Sequence, residues 1–262
     1  MPAAYHHLYL VWQFTKRDIQ ARYRGSLLGL SWMLISPLLL LGAFTLVFYG
    51  FFQLKWPVSA TGADKMDFAL QVYAGLLMFN WFAEAANRGP QLIVGQPNLV
   101  TKVLFPLPLL ALTSSLASGF QALVSLALLL IISGVLVGPS SAWLALPLLL
   151  LPFWLLMIGL GLWFSALGVY LRDLAPLMAL VTSLVMFLSP IFYPLSSVPE
   201  RWHEIYLLNP LALVITQLRG VLYLGAWPDW GAVAALTALS AGLSASGLWI
   251  FNRLRGGFAD VL

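Results

Sequence analysis

The chain has 262 residues, of which 61% are hydrophobic and only 8% charged, with a formal net charge of +4. Soluble domains carry roughly 25% charged residues, so water is not the main solvent for this surface. With no cysteine present, disulfides, thiolate metal sites and a thiol nucleophile are all excluded.

Residues 5–24 predict an amphipathic helix. Leu8, Val11, Trp12, Thr15 and Ile19 recur at helical spacing, while Gln13, Lys16, Arg17, Gln20 and Arg24 take the other side, with Arg22 close by. A basic face opposite an aromatic and aliphatic one suits the surface of a membrane. The next stretch, 27–52, has no charged side chain. As a helix rising about 1.5 Å per residue it exceeds a hydrocarbon core of about 30 Å, so it must span, tilted or kinked. Pro37 removes one backbone donor within it. The basic residues before it should stay on the cytoplasmic side, and all later spans inherit that orientation.

The second span is predicted over 68–83. The segment 84–106 that follows mixes Pro90, Gly95 and Pro97 with apolar residues, which suggests short surface helices on the inside. Glu84 and Arg88 are spaced to pair on a helix. Spans three and four are predicted over 107–137 and 143–170, joined outside by Gly138-Pro139-Ser140-Ser141. Leu171-Arg172-Asp173 is a tight inside turn before span five, 174–192. The stretch 194–224 is too broken and too polar for a full crossing, with Thr216, Gln217 and Arg219 in its second half. Two short re-entrant helices fit it better, since such backbone survives at membrane depth only beside protein or water. The sixth span is 230–251, closed inside by Arg253 and Arg255. The expected fold is an all-α integral membrane protein, one domain of six spans with both termini cytoplasmic.

Charge distribution agrees with that count. Lys16, Arg17, Arg22, Arg24, Arg88, Lys102, Arg172, Arg253 and Arg255 fall inside, against Lys55, Lys65, Arg201 and Arg219 outside. Continuous apolar runs exclude a β-barrel, whose strands alternate. Small residues four apart, such as Ser115 and Gly119, Gly161 and Ser165, or Ser240 and Ser244, belong to close helix packing.

Two sets of side chains are candidates for function. Phe44, Phe48 and Phe51 follow one face of the first span, and Phe187, Phe192 and Tyr193 mark the outer half of the fifth. Either they face lipid and pack, or they line a path on which the apolar faces of sugar rings slide. Glu200, His203 and Glu204 lack the spacing of a zinc helix and read as a solvated face. No catalytic cluster, metal site or proton relay is apparent, and no Gly-x-x-x-x-Gly-Lys phosphate loop occurs. Energy for any work must come from a partner.

The run Arg17-Asp18-Ile19 … Arg22-Tyr23-Arg24-Gly25-Ser26-Leu27-Leu28-Gly29 … Trp32 … Pro37 resembles the membrane subunit of ABC exporters for cell-surface polysaccharides. Asn98-Leu99-Val100-Thr101-Lys102-Val103 … Phe105-Pro106, Tyr170-Leu171-Arg172-Asp173-Leu174 and Ser189-Pro190-Ile191-Phe192-Tyr193-Pro194 extend the likeness in order. Asn209-Pro210-Leu211 and Gly257-Phe258-Ala259-Asp260-Val261 complete it. The resemblance implies a homodimeric permease in the bacterial inner membrane, paired with two copies of a separate ATPase. That partner would hold ATP and magnesium, leaving this chain without cofactor or catalytic residue. Lipid-linked polysaccharide would be the cargo, with membrane lipid and no nucleic acid as further company. It also implies that spans one and five line the conduit, which raises the case for the six aromatics. Arg88, Asn98 and Lys102 would belong to the segment coupled to the ATPase, and Arg172 and Asp173 to a second contact.

Overall fold

The computed structural model describes residues 3–53, 56–57, 60–101, 106–203, 206 and 208–262. The described residues form helices and turns, without a strand among them. Helix α1 (Ala3–Tyr23) ends at a turn where Gly25 takes φ +84°, a conformation that a side chain would strain. The first apolar rod, Gly29–Phe51, then runs as a 3₁₀ turn, α2 (Trp32–Phe44) and a π-helical segment (Thr45–Phe51). Helices α3 (Asp64–Arg88), α4 (Gln91–Val94) and α5 (Pro97–Thr101) follow. Next come α6 (Pro108–Leu136), α7 (Leu146–Tyr170) after a 3₁₀ turn, and α8 (Leu174–Leu188). Helices α9 (Pro210–Tyr223), α10 (Trp230–Leu254) and α11 (Phe258–Val261) complete the chain.

Four stretches are long and apolar enough to cross a membrane: Gly29–Phe51, Pro108–Leu136, Ser141–Tyr170 and Trp230–Val261. The remaining two expected spans differ from their sequence boundaries. Helix α3 extends past 68–83 at both ends. Asp64 and Asp67 sit in its first turn, where carboxylates favour a helix start. The Asp67 Oδ1 also accepts from Ala60 N at 3.0 Å and Thr61 N at 2.8 Å. At the far end Glu84 and Arg88 pair at 3.3 Å, which carries α3 into the segment 84–106, where short surface helices were expected. Helix α8 instead stops at Leu188, short of 192, because Ser189 turns extended and Pro190 has no N–H to continue the ladder. Its 15 residues reach about 22 Å, less than a full core.

In 194–224, where two short helices were expected, the described part has 3₁₀ turns at Leu195–Ser197 and Glu200–Trp202, each following a proline, helical residues at His203 and Tyr206, and the helix α9. Asn209 starts α9 by accepting from Leu211 N and Ala212 N, while its amide donates to Ser189 Oγ at 3.0 Å.

Helix α3 is the axis of the fold. From Asp67 to Phe79 all residues except Ala69 are buried, and α6, α7, α8 and α9 pack around it. A helix surrounded in this way needs no amphipathic face. The main core joins Phe68, Met78, Leu129, Phe153, Met157 and Ile215. A smaller one gathers Ile93, Leu110, Ala166, Phe251 and Phe258 at the other end, with Phe251 and Phe258 edge to face at 5.5 Å. The closing Phe258 is thus a core residue. Helix α10 lies tightly on α7 because Gly159 has no Cβ; one would stand 2.9 Å from Ser244 N. Ser244 Oγ donates to Leu155 O at 2.8 Å across the same crossing.

Candidate functional site

The two ends of α3 carry two different polar constructions. At the Arg88 end, α1 is joined to α3 by Asp18, Arg22, Glu84 and Arg88. The Arg88 guanidinium grips Asp18 with both Nη atoms, at 2.6 and 3.1 Å. Arg22 pairs with Asp18 at 3.2 Å and with Glu84 in direct contact. Two cations and two anions cancel, so the cluster presents no net charge. With the side chains 17–36% exposed, solvent screening holds each pair to about 1 kcal/mol.

Hydrogen bonds extend the junction. The Tyr23 hydroxyl donates to Gln121 Oε1 at 2.5 Å, and Gln121 Nε2 donates to Met33 O. Burial pushes the Tyr23 phenol above its ordinary pKa and so favours the protonated donor. Arg17 donates to Gln96 at 2.8 Å, between α4 and α5, and its guanidinium lies 4.3 Å over Phe14. Helix α1 is therefore fastened to α3, to α6 and to the short helices after α3.

The opposite end of α3 holds Arg219 from α9. Its side chain is buried, and every hydrogen bond it makes goes to a backbone carbonyl. Nε and Nη2 donate to Gln71 O at 3.0 and 2.7 Å, Nη1 to Pro190 O at 2.5 Å, and Nη2 to Ile191 O at 2.7 Å. The Trp56 ring lies 4.6 Å from the guanidinium carbon. Gly75 makes room for this fork, since a Cβ there would be 2.9 Å from Arg219 Nη2 and 3.1 Å from Ile191 Cα. The break after α8 frees carbonyls that a helix would have used, and Arg219 satisfies two of them.

That clamp positions the next residue. Phe192 is buried, with its ring 4.6 Å from Phe44 and stacked on Phe48 at 4.8 Å and 17°. Phe51 does not continue the row and is 70% exposed; Phe52 takes the place beside Phe48 at 6.0 Å. The wider π turn explains the shift, because Phe52 N bonds back to Val47 O, five residues earlier. Phe187 is also exposed. Tyr193 Oη donates to Phe187 O at 3.0 Å and lies 2.7 Å from Tyr206 Oη. Of the six aromatics, three meet in one stack.

The remaining sequence candidates scatter. Lys16, Arg24, Asn98, Arg172 and Asp173 are exposed, and Lys102 lies outside the described residues. His203 Nε2 is 2.8 Å from Val198 O, Glu200 is exposed, and Glu204 lies outside the described residues. No three histidine or carboxylate side chains gather among the described residues. The sequence reading passed over Arg219 as one of the outside charges. One signal was available: Arg219 is the single cation of a mostly apolar helix, and such a charge needs partners.

A family model for the ABC-2 type transporter matches residues 9–223, and the chain belongs to that family. It is a permease subunit and a multi-pass membrane protein. The family signalled by the sequence motifs is the one found. Over 250 residues the chain is 27% identical to an O-antigen export system permease protein RfbA of Klebsiella pneumoniae, covering 95% of this chain and 93% of the relative. A protein of the same name from Myxococcus xanthus is 27% identical over 260 residues, covering 98% and 96%.

Proposed function

We propose that two copies of this chain form the path by which a lipid-linked cell-surface polysaccharide crosses the bacterial cytoplasmic membrane, driven by two copies of a separate ABC ATPase. The observation that carries the reading is likeness over almost the whole length to O-antigen export permeases. ATP and magnesium belong to the ATPase in this scheme, and this chain transmits force and forms the conduit.

The reading takes α3 and α8 as the second and fifth of six spans, with 194–224 dipping back into the outer leaflet and both termini cytoplasmic. The network of Asp18, Arg22, Glu84 and Arg88 then lies at the inner face, next to α4 and α5. A push on the segment holding Arg88, Asn98 and Lys102 would pass through it into α1 and the first span. Arg172 and Asp173, exposed in a tight turn, supply the second contact. At the outer end the stack of Phe44, Phe48 and Phe192 is the narrow point, with Phe51, Phe187 and Tyr193 around it. Stacked rings hold one another by dispersion alone, so they can part without leaving a polar group unpaired. Only 11% of the first rod's apolar window is buried, against 50% for Ser141–Tyr170. That leaves a face for the second copy.

The test is deletion of the protein in its native cell, followed by measurement of surface polysaccharide and of lipid-linked glycan in the inner leaflet. Loss of the polymer together with accumulation of long lipid-linked chains is expected. A normal surface and an unchanged lipid-linked pool would leave the permease and remove the polysaccharide, making a drug or small lipid the cargo.

A further inference from the structure

A large apolar groove of 1320 Å³ lies between α1, α6 and α7. Trp12, Thr15 and Lys16 bound it on α1, Gly119 and Leu123 on α6, and Trp154 on α7. It continues along α6 from Leu116 to Leu130, a rise of about 21 Å for a straight helix. One leaflet supplies only half of a core of about 30 Å, so a groove that starts at an interfacial helix and runs this far passes the midplane. An ordinary acyl chain ends near the midplane. A longer chain does not.

The mouth of the groove is polar. Lys16 lines it, is exposed, and has no ion-pair partner among the described residues. A cavity of 320 Å³ adjoins it, lined by Arg22, Ser36, Asn80, Trp81, Glu84 and Gln121, with Glu84 already paired to Arg22 and Arg88, and Trp81 borders both spaces. Two buried donors on these residues, Arg22 Nε and Trp81 Nε1, have no hydrogen-bond partner. Trp81 itself is only 6% exposed. Buried donors without acceptors are costly, and an acceptor-rich group brought beside them would satisfy them. Long apolar groove, free lysine and unfilled donors together describe a polyprenyl phosphate: one chain longer than a leaflet, joined to an anionic head rich in acceptors.

We propose that the groove beneath α1 holds the polyprenyl chain of a lipid-linked cargo, with its phosphate at Lys16 and the neighbouring polar cavity. This rests on the export reading for the nature of the cargo. The groove shares no lining residue with the stack of Phe44, Phe48 and Phe192, so it is a holding place for the lipid and not the conduit. Gly119 keeps the groove open, since a Cβ there would already touch Trp81 at 3.5 Å and Trp154 at 3.6 Å.

The full chain is reconstituted in vesicles of phosphatidylethanolamine and phosphatidylglycerol, with a photo-crosslinking amino acid in place of Leu123 in the groove or of Leu180 on the exposed face of α8. The probe is radiolabelled undecaprenyl phosphate. Labelling at position 123 should exceed that at 180 by about tenfold, the mark of a site over bulk lipid contact. Unlabelled undecaprenyl phosphate should displace it, and excess phosphatidylglycerol should not. Lys16→Glu, an exposed and fold-neutral change, should weaken labelling about fivefold. Gly119→Leu should block it. Equal labelling at the two positions overturns the site, displacement by phosphatidylglycerol assigns it to ordinary phospholipid, and an unaffected Lys16→Glu variant overturns the phosphate contact. The assay needs neither export nor ATPase. Selective labelling in a protein whose deletion leaves the surface polymer intact would therefore keep the site and remove the polysaccharide, and the converse result would do the reverse.

Discussion

At the residue scale, Arg219 is the unusual group. A buried guanidinium commonly meets a carboxylate, yet here the partners are the carbonyls of Gln71, Pro190 and Ile191. The arrangement holds because helix α8 breaks next to it and leaves acceptors with no N–H of their own. Arg219→Met should lower stability by about 3 kcal/mol, since removing the donor strands buried carbonyls. Arg219→Lys should restore only part of that, because an ammonium is a point donor and cannot span carbonyls from two elements. Thermal unfolding of the purified variants in detergent decides it, and an unchanged midpoint for Arg219→Met would refute the clamp. Phe192 should lose its fixed position in both variants, which the accessibility of a cysteine introduced in its place can read.

At the element scale, the attachment of α1 to α3 and the crossing of α7 over the segment after α3 are the two junctions that matter. The Asp18 and Arg88 pair is part of a network, so single substitutions mix several losses. A double-mutant cycle with Asp18→Asn and Arg88→Gln isolates the direct term, expected at about 1 kcal/mol for side chains this exposed. A coupling of zero would mean that this pair adds nothing to the attachment of α1, leaving it to Arg22 with Glu84, Arg17 with Gln96, Tyr23 and packing. At the second junction a Cβ on Gly168 would stand 2.2 Å from Pro90 O and 2.6 Å from Pro90 Cα. Backbone cannot yield as a side-chain tip does. Gly168→Ala should therefore cost about 1–3 kcal/mol and loosen α4 from α7, seen as faster hydrogen exchange at Leu92 and Ile93.

At the scale of the whole molecule, the exposed apolar faces stand out. The first rod and α8 leave long apolar faces uncovered, with Leu39, Leu46, Leu180 and Leu184 all exposed. Lipid and a second copy are the covers consistent with the proposed exporter. The turn at Arg172 supplies the separable test of the proposed coupling. Arg172→Glu changes an exposed side chain, so the unfolding midpoint should stay within about 0.5 kcal/mol of the parent. Association with the ATPase should be lost. Co-purification of the ATPase with the variant at parental yield would remove that turn from the coupling path.

How much of this was legible in the sequence depended on the range of the interaction. Continuous apolar runs mark the long helices because a membrane core demands length and no charge, and both are local properties. The boundaries of Pro108–Leu136 and Ser141–Tyr170 fall within a residue or two of the sequence reading for that reason. The motifs from Arg17 to Pro37 and after Asn98 carried the family. Four matters were decided only by tertiary structure. Arg88 reads as the helical partner of Glu84 alone until Asp18, seventy positions away, is brought against it. Phe51 reads as part of a ring face until a π turn moves Phe52 into its place. Helix α8 reads as running on to 192 until its break at Ser189 is locked by Arg219. Arg219 itself reads as a surface charge because its partners are backbone carbonyls, which every residue possesses and no sequence pattern can single out. Periodicity and composition record how each segment meets its solvent; which segments meet one another is settled only when the chain packs.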